Sequence, residues 1–274
     1  MTVAKSHRPL NSEQLAVLHW LYKSRFSTSK QIAKHLLKPN HKGIQNKLQI
    51  LEEQGYIGKH YDKTYKLAGR AAEYFLTPKG ARQLPADSVN EWAIKSLYKN
   101  KAVSPEFIAH CLNVADIALQ LQAIYGDKLR LFTKSTMVAY SYFPTWKPDL
   151  FLSFKPHAKS STNNEPPHRY FLDVWDSTTP FFVSVRKARN YITYAEEGEW
   201  PTDEYVLPTV LAVCQDAKAQ KKLTGQVKRA FDEKYITDEV TFATVTQEQL
   251  DKATGTAKLW QKIADDDELA YISL

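Results

Sequence analysis

Two aspartates beside apolar segments are the side chains whose placement most directly suggests chemistry. Asp149 follows Pro148 and opens the apolar run 149–154, and Asp173 lies within the apolar run 170–175. Both runs predict buried β-strands. Two carboxylates on adjacent strands can bind a divalent metal ion, which activates water for attack on a phosphodiester. The pair therefore has two interpretations: catalytic metal ligands, or structural hydrogen-bond acceptors.

The Pro-Asp pair, the strand order and a long helix predicted before the strands resemble the PD-(D/E)XK nuclease superfamily. In that superfamily the Pro-Asp pair is followed by an acidic residue, any residue and a lysine. Asp149 and Asp173 match the two acids, but Trp175 stands where the lysine is expected. A tryptophan can neither orient a water nor stabilise developing negative charge. Lys187 on the next predicted helix, beside Arg186, could supply the cation instead.

The missing lysine favours a nuclease-like domain without hydrolytic activity, which needs no cofactor and serves for dimerisation or contact with other replication or mobilisation proteins. The alternative is a DNA endonuclease that depends on Mg²⁺ or Mn²⁺. It would use Asp149 and Asp173 as catalytic residues and metal ligands, with Lys187 as the catalytic cation. On the long helix, His110 is expected to be a hydrogen-bonded core residue rather than a ligand. Nearby aromatic side chains could stack on unpaired bases, but packing is expected for them: Tyr140, Tyr142, Phe143 and Trp146.

Polar side chains on a predicted helix over 40–54 suggest a second kind of chemistry, the reading of DNA bases. One face carries Ile44, Leu48 and Leu51, and the opposite face carries His41, Lys42, Gln45, Asn46 and Gln49. Amide side chains suit paired hydrogen bonds to adenine, and lysine suits guanine or a phosphate. The basic residues that follow would contact phosphates or a minor groove: Lys59, His60, Lys63, Lys66 and Arg70. The alternatives are a solvent-facing helix and a protein-interaction scaffold without DNA affinity.

The segments on either side of this helix predict the domain to which it belongs. Apolar spacing and capping residues predict helices over 11–25, 27–37 and 40–54. Strands are predicted over 56–61 and 72–76, joined by a polar and basic link. The phrases Leu51–Ile57 and Tyr74–Gly80 resemble winged-helix proteins. We therefore predict a winged helix-turn-helix DNA-binding domain over 1–84 and a connector over 85–103.

From Ser104 onward the predicted order of helices and strands differs from that of residues 1–84. A long capped helix to about Tyr125 precedes predicted strands over 128–132, 136–140, 149–154 and 170–175. A helix over 180–195, an apolar run over 206–213, a helix over 217–231 and a strand over 240–246 follow. The segment 156–167 is predicted as a polar loop, and the acidic run 265–268 as a solvated helix end. Residues 104–274 thus predict a mixed sheet flanked by helices, of restriction-endonuclease-like type, within a two-domain protein of α+β or α/β class.

The net charge of +7 is distributed unevenly along the chain. Residues 1–100 contain 17 Lys and Arg against 7 Asp and Glu, while the remaining residues have a small acidic excess. Charge confined to one domain suggests a polyanionic partner, although a solvated lysine-rich surface is the alternative. Two cysteines, Cys111 and Cys214, fit no metal or disulfide spacing, so we expect buried thiols in a reducing compartment. No run of eighteen apolar residues occurs, and we expect a cytoplasmic protein.

Over residues 12–215 the sequence resembles the replication-relaxation family of plasmids and other mobile elements. The resemblance rests on the phrase Tyr74–Gly80, on His110, on Lys147–Asp149, on Phe171–Val174 with Ser177-Thr178, and on Lys187–Tyr191 with Tyr194. In that family the acidic phrase usually reads Glu, any residue, Asp, whereas Asp176 here follows Asp173 by three positions. The resemblance implies double-stranded DNA as partner and a role in replication control, mobilisation or transcriptional regulation.

Overall fold

The computed structural model describes residues 9–154, 168–198, 200–201, 206–234, 240–254, 258–263, 270–272 and 274. The chain divides into two units, Met1–Val103 and Ser104–Leu274. Both units combine helices with a sheet, so the predicted mixed, two-domain class is confirmed. The polar loop predicted over 156–167 and the acidic run 265–268 lie outside the described residues.

The first unit combines several helices with a small antiparallel sheet. Within the described ranges this sheet has three strands in the order β1-β3-β2. The elements are α1 (Ser12–Ser24), β1 (Phe26–Thr28), α2 (Ser29–His35), α3 (Lys42–Glu53), β2 (Ile57–His60), α4 (Lys63–Leu67), β3 (Glu73–Leu76), α5 (Pro78–Ala81) and α6 (Glu91–Ser96), with 3-10 turns at Ala86–Ser88 and Leu97–Ala102.

Side-chain caps begin the first two helices close to the predicted starts at 11 and 27. Asn11 and Gln14 form a reciprocal capping box at α1, and Thr28 and Gln31 form another at α2. Each box satisfies amide groups that the first helical turn leaves without partners. Helix α3 begins later than the predicted start at 40. Asn40 accepts from the Lys42 amide at 3.1 Å, but the residue before α3 is His41, which provides no side-chain cap.

Two parts of the first unit differ from the predicted hairpin and its link. Strand β1 pairs with β3, so the sheet has a strand that the sequence pattern did not reveal. The link over 62–69 contains the short helix α4. The Asp62 side chain caps α4 by accepting from the Thr64 and Tyr65 amides, which converts a polar link into an ordered turn of helix.

The segment predicted as a connector, 85–103, lies within the first unit. The Asn90 amide donates to the Tyr22 hydroxyl at 2.8 Å. The Arg25 Nε donates to Asn100 Oδ1 at 2.9 Å, and Asn100 is fully buried. These bonds attach the segment to α1 and to the residue that ends it.

The second unit is built on a mixed sheet. Its described strands number seven, in the order β10-β9-β8-β7-β6-β5-β4, with β6, β7 and β8 parallel to one another. The elements are α7 (Pro105–Tyr125), β4 (Leu129–Thr133), α8 (Lys134–Met137), β5 (Leu150–Phe154), β6 (Arg169–Trp175), α9 (Phe181–Glu196), β7 (Thr209–Cys214), α10 (Ala217–Lys234), β8 (Phe242–Thr246), α11 (Gln247–Lys252), β9 (Trp260–Lys262) and β10 (Tyr271–Ile272).

Apolar side chains are buried on both faces of this sheet. Phe171 of β6 packs in one cluster with Tyr191 of α9, whereas Leu172 packs in the other with Leu121 of α7. Successive strand residues point to opposite faces, so Asp173 shares the α9 face with Phe171. The alternation therefore directs one charged side chain of β6 toward α9.

The strand predicted over 136–140 is wrong. Residues Lys134–Met137 form the short helix α8 instead. The Thr133 amide donates to Thr136 Oγ1 at 2.8 Å, and the two threonines form a capping box. β-Branched residues such as Thr136 favour strands, but here the side chain bonds locally to the backbone and begins a helix.

The most apolar of the described helices is α7 with the turn after it. Pro105–Lys128 is long and apolar enough to cross a membrane by length and composition, with a mean hydropathy of 1.4, and no other described helix is. Its Ile117, Leu121 and Tyr125 pack in the core cluster that includes sheet residues Leu150 and Leu172. Packing in the core accounts for these apolar side chains.

The two cysteines differ in exposure. Cys214 at the end of β7 is buried, and burial raises the pKa of its thiol to about 12. Cys111 on α7 is partly exposed, so the prediction of two buried thiols is wrong for this residue. The difference in exposure follows from where the two residues lie. Cys214 ends β7, which lies inside the sheet, whereas Cys111 is in the first half of a helix with one face on the core.

Candidate nucleic-acid interface and ionic cluster

The pairing of β5 with β6 brings the two predicted carboxylates together. The Asp149 amide donates to Asp173 Oδ1 at 2.9 Å, and the Val174 amide donates to Asp149 Oδ2 at 2.9 Å. Asp149 is 5% exposed and Asp173 is 0% exposed. Each carboxylate thus accepts from the backbone of the opposite segment, which fixes both side chains in the interior.

Two lysines and a tyrosine complete the surroundings of these carboxylates. Lys134 Nζ lies 2.6 Å from Asp149 Oδ1. Lys187 Nζ donates to Asp173 Oδ1 and lies 3.8 Å from Asp149 Oδ1. The Tyr191 hydroxyl donates to Asp173 Oδ2 at 2.7 Å. Lys187 and Tyr191 lie one turn apart on α9, so a single helix face supplies two donors to Asp173.

His110 of α7 bridges two aspartates at this position. Its Nε2 lies 3.3 Å from Asp149 Oδ1, and its Nδ1 lies 3.2 Å from Asp176 Oδ2. Asn113, three residues further along α7, donates to the same Asp176 oxygen at 2.9 Å. The histidine is hydrogen-bonded, as expected, but its partners are acids around the predicted site rather than the apolar core.

We call this group of side chains the ionic cluster; its members are His110, Lys134, Asp149, Asp173, Asp176 and Lys187. Hydrogen bonds to Asp149 and Asp176 outweigh the opposing effect of burial and raise the pKa of His110 to about 9. At neutral pH the imidazole therefore carries a positive charge. Three basic groups thus lie against three carboxyl groups, as burial of ionisable side chains requires.

The carboxylates of the ionic cluster differ in their pKa. Burial acts against ionisation of Asp149, but attraction to Lys134 and Lys187 holds its pKa well below the ordinary value. Burial raises the pKa of Asp173, and repulsion from Asp149 adds to that effect. Hydrogen bonds from His110, Thr178 and Asn113 outweigh burial and lower the pKa of Asp176 to about 2.

The metal that the nuclease resemblance implies does not fit this arrangement. All four carboxylate oxygens of Asp149 and Asp173 accept hydrogen bonds from protein donors. In the part of the chain that the structure describes, no group of three or more His, Cys, Asp or Glu side chains could hold a metal ion. Lys134 and Lys187 supply the positive charge at the positions nearest the two acids.

Sequence reasoning found some members of the ionic cluster and missed others. Asp149, Asp173 and Lys187 were predicted together, and the structure brings all three into contact. Lys134 was missed because the segment that carries it was predicted to lead into a strand. Trp175, at the position of the expected lysine, is 7% exposed and takes no part in the cluster. Trp175 follows Asp173 by two positions on β6, so both side chains lie on the α9 face. This spacing was the sequence signal that places Trp175 beside α9.

The polar face of α3 is exposed as the helical spacing predicts. Ile44, Leu48 and Leu51 are buried. The other face carries four exposed side chains and the partly exposed His41; the exposed four are Lys42, Gln45, Asn46 and Gln49. The side-chain Nε2 of Gln49 donates to Glu53 Oε1 at 2.9 Å, which orders one side chain of this face. The arrangement presents amide and ammonium groups at the spacing of adjacent helical turns.

The basic residues after α3 fall into two groups. Lys63 and Lys66 on α4 are exposed. Lys59 pairs with Glu52 at 2.7 Å, and His60 Nε2 lies 2.8 Å from the Asn100 carbonyl oxygen. Arg70 pairs with Glu73 at 2.9 Å and lies over the Tyr65 ring. Within this set, only the α4 lysines have no ion pair or ring contact among the described residues.

Comparison with family models decides which family the chain belongs to. The model of the replication-relaxation family matches residues 18–210, more than two thirds of the sequence. The chain belongs to the replication-relaxation family. No curated protein and no solved structure matches it.

Membership of the replication-relaxation family indicates a role in the replication or mobilisation of plasmids or other mobile elements. The matched span runs from within α1 into β7. It therefore contains the exposed face of α3 and every member of the ionic cluster. Both candidate sites belong to the part of the chain that defines it as a replication-relaxation protein.

Proposed function

We propose that the chain is a sequence-specific double-stranded DNA-binding protein that acts in replication or mobilisation of a mobile element. The first unit binds the duplex as a winged helix, with α3 in the major groove and α4 against the backbone. Helices α1, α2 and α3, packed with the antiparallel sheet of β1, β2 and β3, support that interpretation. The second unit adds the ionic cluster, which holds β5, β6, α7 and α9 together.

The observation that carries this proposal is the exposed face of α3. Gln45 and Asn46 lie next to each other on that face, and Lys42 and Gln49 lie one turn to either side. Amide groups form paired hydrogen bonds with adenine in the major groove, and an α-helix fits that groove. Lys63 and Lys66 on α4 add positive charge without an ion pair among the described residues, as contact with phosphates requires.

Alanine substitutions on α3 test this proposal. A preferred duplex would first be selected from a random pool, and binding to it and to a scrambled duplex would be measured by fluorescence anisotropy. Lys42→Ala, Gln45→Ala, Asn46→Ala and Gln49→Ala should each weaken binding to the preferred duplex, by about 1–3 kcal/mol where a good base contact is lost. Binding to the scrambled duplex should change much less, because base contacts do not contribute there.

Gln83→Ala is the matched control, since Gln83 is also an exposed glutamine of the first unit but lies outside α3. It should leave both affinities unchanged. If none of the four α3 variants differs from Gln83→Ala, the helix does not read the bases. If the parent protein shows no salt-dependent binding to any duplex, the first unit is instead a protein-interaction module.

The ionic cluster favours a second candidate function, cleavage of a DNA strand. Three cations meet around Asp149: Lys134, Lys187 and the protonated His110. Preorganised cations in a partly enclosed site stabilise the negative charge that develops during phosphoryl transfer. Lys134 is about half exposed, with 51% of its side chain accessible, so a phosphate could reach the cluster at this lysine.

Incubation with supercoiled plasmid, with and without Mg²⁺, separates this candidate from DNA binding alone. Nicking that is lost in Asp149→Asn and Lys134→Gln, while duplex binding is retained, would establish strand cleavage. Lys128→Gln is the control, since Lys128 is an exposed lysine shortly before β4. Absence of nicking by the folded protein that binds duplex would leave the cluster with a structural role.

A further inference from the structure

A cavity of about 160 Å³ lies where two neighbouring parallel strands end. Strands β6 and β7 pair side by side and finish at Trp175 and Cys214. Helices α9 and α10 begin shortly after these ends. Crevices at the carboxyl ends of parallel strands are common positions for ligands in α/β sheets. This position is distinct from the oxygens of Asp149 and Asp173.

The lining of the cavity combines rings with short polar side chains. Trp175 and Phe181 supply aromatic surface, and Ala219 closes one side. Ser177, Thr179, Ser184 and Gln215 supply hydroxyl and amide groups. Lys222 Nζ lies 4.0 Å from the centre of the Phe181 ring, so a cation stands beside the aromatic wall. A planar ligand with hydrogen-bonding edges and a nearby negative charge matches this set of groups.

One aromatic residue of the lining carries a buried hydrogen-bond donor. Trp175 is 7% exposed, and its indole Nε1 has no hydrogen-bond partner among the described residues. A buried indole N–H normally finds a partner, because its desolvation is otherwise uncompensated.

We propose that this cavity binds one unpaired nucleobase of a DNA strand. An engineered cavity of about 150 Å³ admits a benzene ring, so a volume of about 160 Å³ suits a pyrimidine. Aromatic side chains stack on bases irrespective of sequence, whereas the hydroxyl and amide groups bond to the base edges. Lys222 is placed to pair with the phosphate of the same nucleotide.

The proposed base site adjoins the ionic cluster through Asp176. This residue lines the cavity, and its carboxylate accepts from His110 and Asn113 of α7. A nucleotide held in the cavity would therefore bring the neighbouring part of its strand close to the cluster. This inference rests on the proposed function, in which DNA is the ligand of the chain.

Binding of two single strands of equal length tests the inference. One is oligothymidylate, and the other is an abasic strand with the same number of phosphates. Fluorescence anisotropy with the full chain at one salt concentration should show about tenfold tighter binding of oligothymidylate, because only that strand can fill the cavity. Equal affinity for the two strands would overturn the inference.

Substitutions then locate the base-dependent part of the binding. Ala219→Leu fills the cavity and should remove most of the preference for oligothymidylate. Ala217→Leu is the matched control, because Ala217 is exposed in the first turn of the same helix and is not part of the lining. Gln215→Ala, at an exposed position of the rim, should lower the preference about threefold with little risk to folding.

The two possible failures are distinguishable by duplex binding in the same assay. If Ala219→Leu and Gln215→Ala keep the full preference for oligothymidylate, bases are bound elsewhere and the cavity assignment is wrong. In that case duplex binding by the parent protein still supports the proposed function. If the parent binds neither duplex nor single strands, the proposed function and the base site are both overturned.

Discussion

Gly80 illustrates how one residue can control a close approach between two segments. A Cβ atom at this position would lie 2.0 Å from the Tyr56 carbonyl oxygen and 2.9 Å from Leu76 Cδ1. Thr77 holds the same region by donating to the Tyr56 carbonyl oxygen and accepting from the Gly80 amide. Lys79 Nζ donates to the Gln54 carbonyl oxygen. The phrase Thr77–Gly80 therefore joins the end of α3 to α5.

Gly80→Ala should destabilise the protein by about 3 kcal/mol or more, since the clash involves backbone that cannot move cheaply. Gly43→Ala is the contrasting substitution, because a Cβ at Gly43 meets nothing within 4 Å. It should stabilise α3 by up to about 1 kcal/mol. Urea denaturation followed by circular dichroism measures both effects. Similar midpoints for the two variants would contradict the packing argument.

Single residues also show the limits of sequence reasoning. Asp149 and Asp173 could be identified because a carboxylate within an apolar strand is unusual and needs partners. Lys187 could be identified because helix α9 directly follows β6. His110 and Lys134 could not be assigned to the cluster, because no local pattern specifies that α7 and α8 approach the same carboxylate. Contacts between distant segments depend on the tertiary packing.

At the scale of elements, helix α4 depends on one buried acid. Glu73 of β3 is 3% exposed, and it accepts from the Tyr65 hydroxyl at 2.8 Å and from Arg70 at 2.9 Å. Both donors lie in or next to the α4 segment. Glu73 therefore anchors the part of the first unit that carries Lys63 and Lys66.

Glu73→Ala should loosen the α4 segment and destabilise the first unit by about 1–3 kcal/mol, because the Tyr65 hydroxyl and Arg70 lose a charged acceptor. Hydrogen exchange of the amides over 62–70 should become faster, while exchange in α1 changes less. Glu91→Ala is the control, since Glu91 is an exposed glutamate of the same unit. Unchanged exchange over 62–70 in Glu73→Ala would show that the segment is held by other contacts.

Elements with regular apolar spacing were predictable, and those defined by local polar bonds were less so. The spacing of Val17, Leu18 and Leu21 predicts α1, and all three are buried. The strand predicted over 136–140 overlaps helix α8, which begins with the bond from the Thr133 amide to Thr136 Oγ1. The spacing of apolar residues indicates which face of an element is buried. It therefore cannot detect a short helix whose formation depends on a side-chain cap.

At the scale of the whole molecule, the two units differ in net charge, and the sequence alone shows this difference. The basic excess lies in residues 1–100, and the remaining residues are slightly acidic. The described lysines of the first unit include some that are paired, such as Lys47 with Glu13 at 3.2 Å and Lys59 with Glu52. The contribution of the first unit to DNA affinity should therefore come from its unpaired lysines rather than from net charge.

The salt dependence of duplex binding measures that contribution directly. Each phosphate neutralised by a lysine changes the slope of log affinity against log salt concentration by about −0.9. Lys63→Gln and Lys66→Gln should each make the slope shallower by about that amount and should weaken binding to preferred and scrambled duplexes alike. Lys128→Gln and Lys262→Gln, at exposed lysines of the second unit, should leave the slope unchanged. An equal change of slope for lysines of both units would mean that the DNA backbone is not bound chiefly by the first unit.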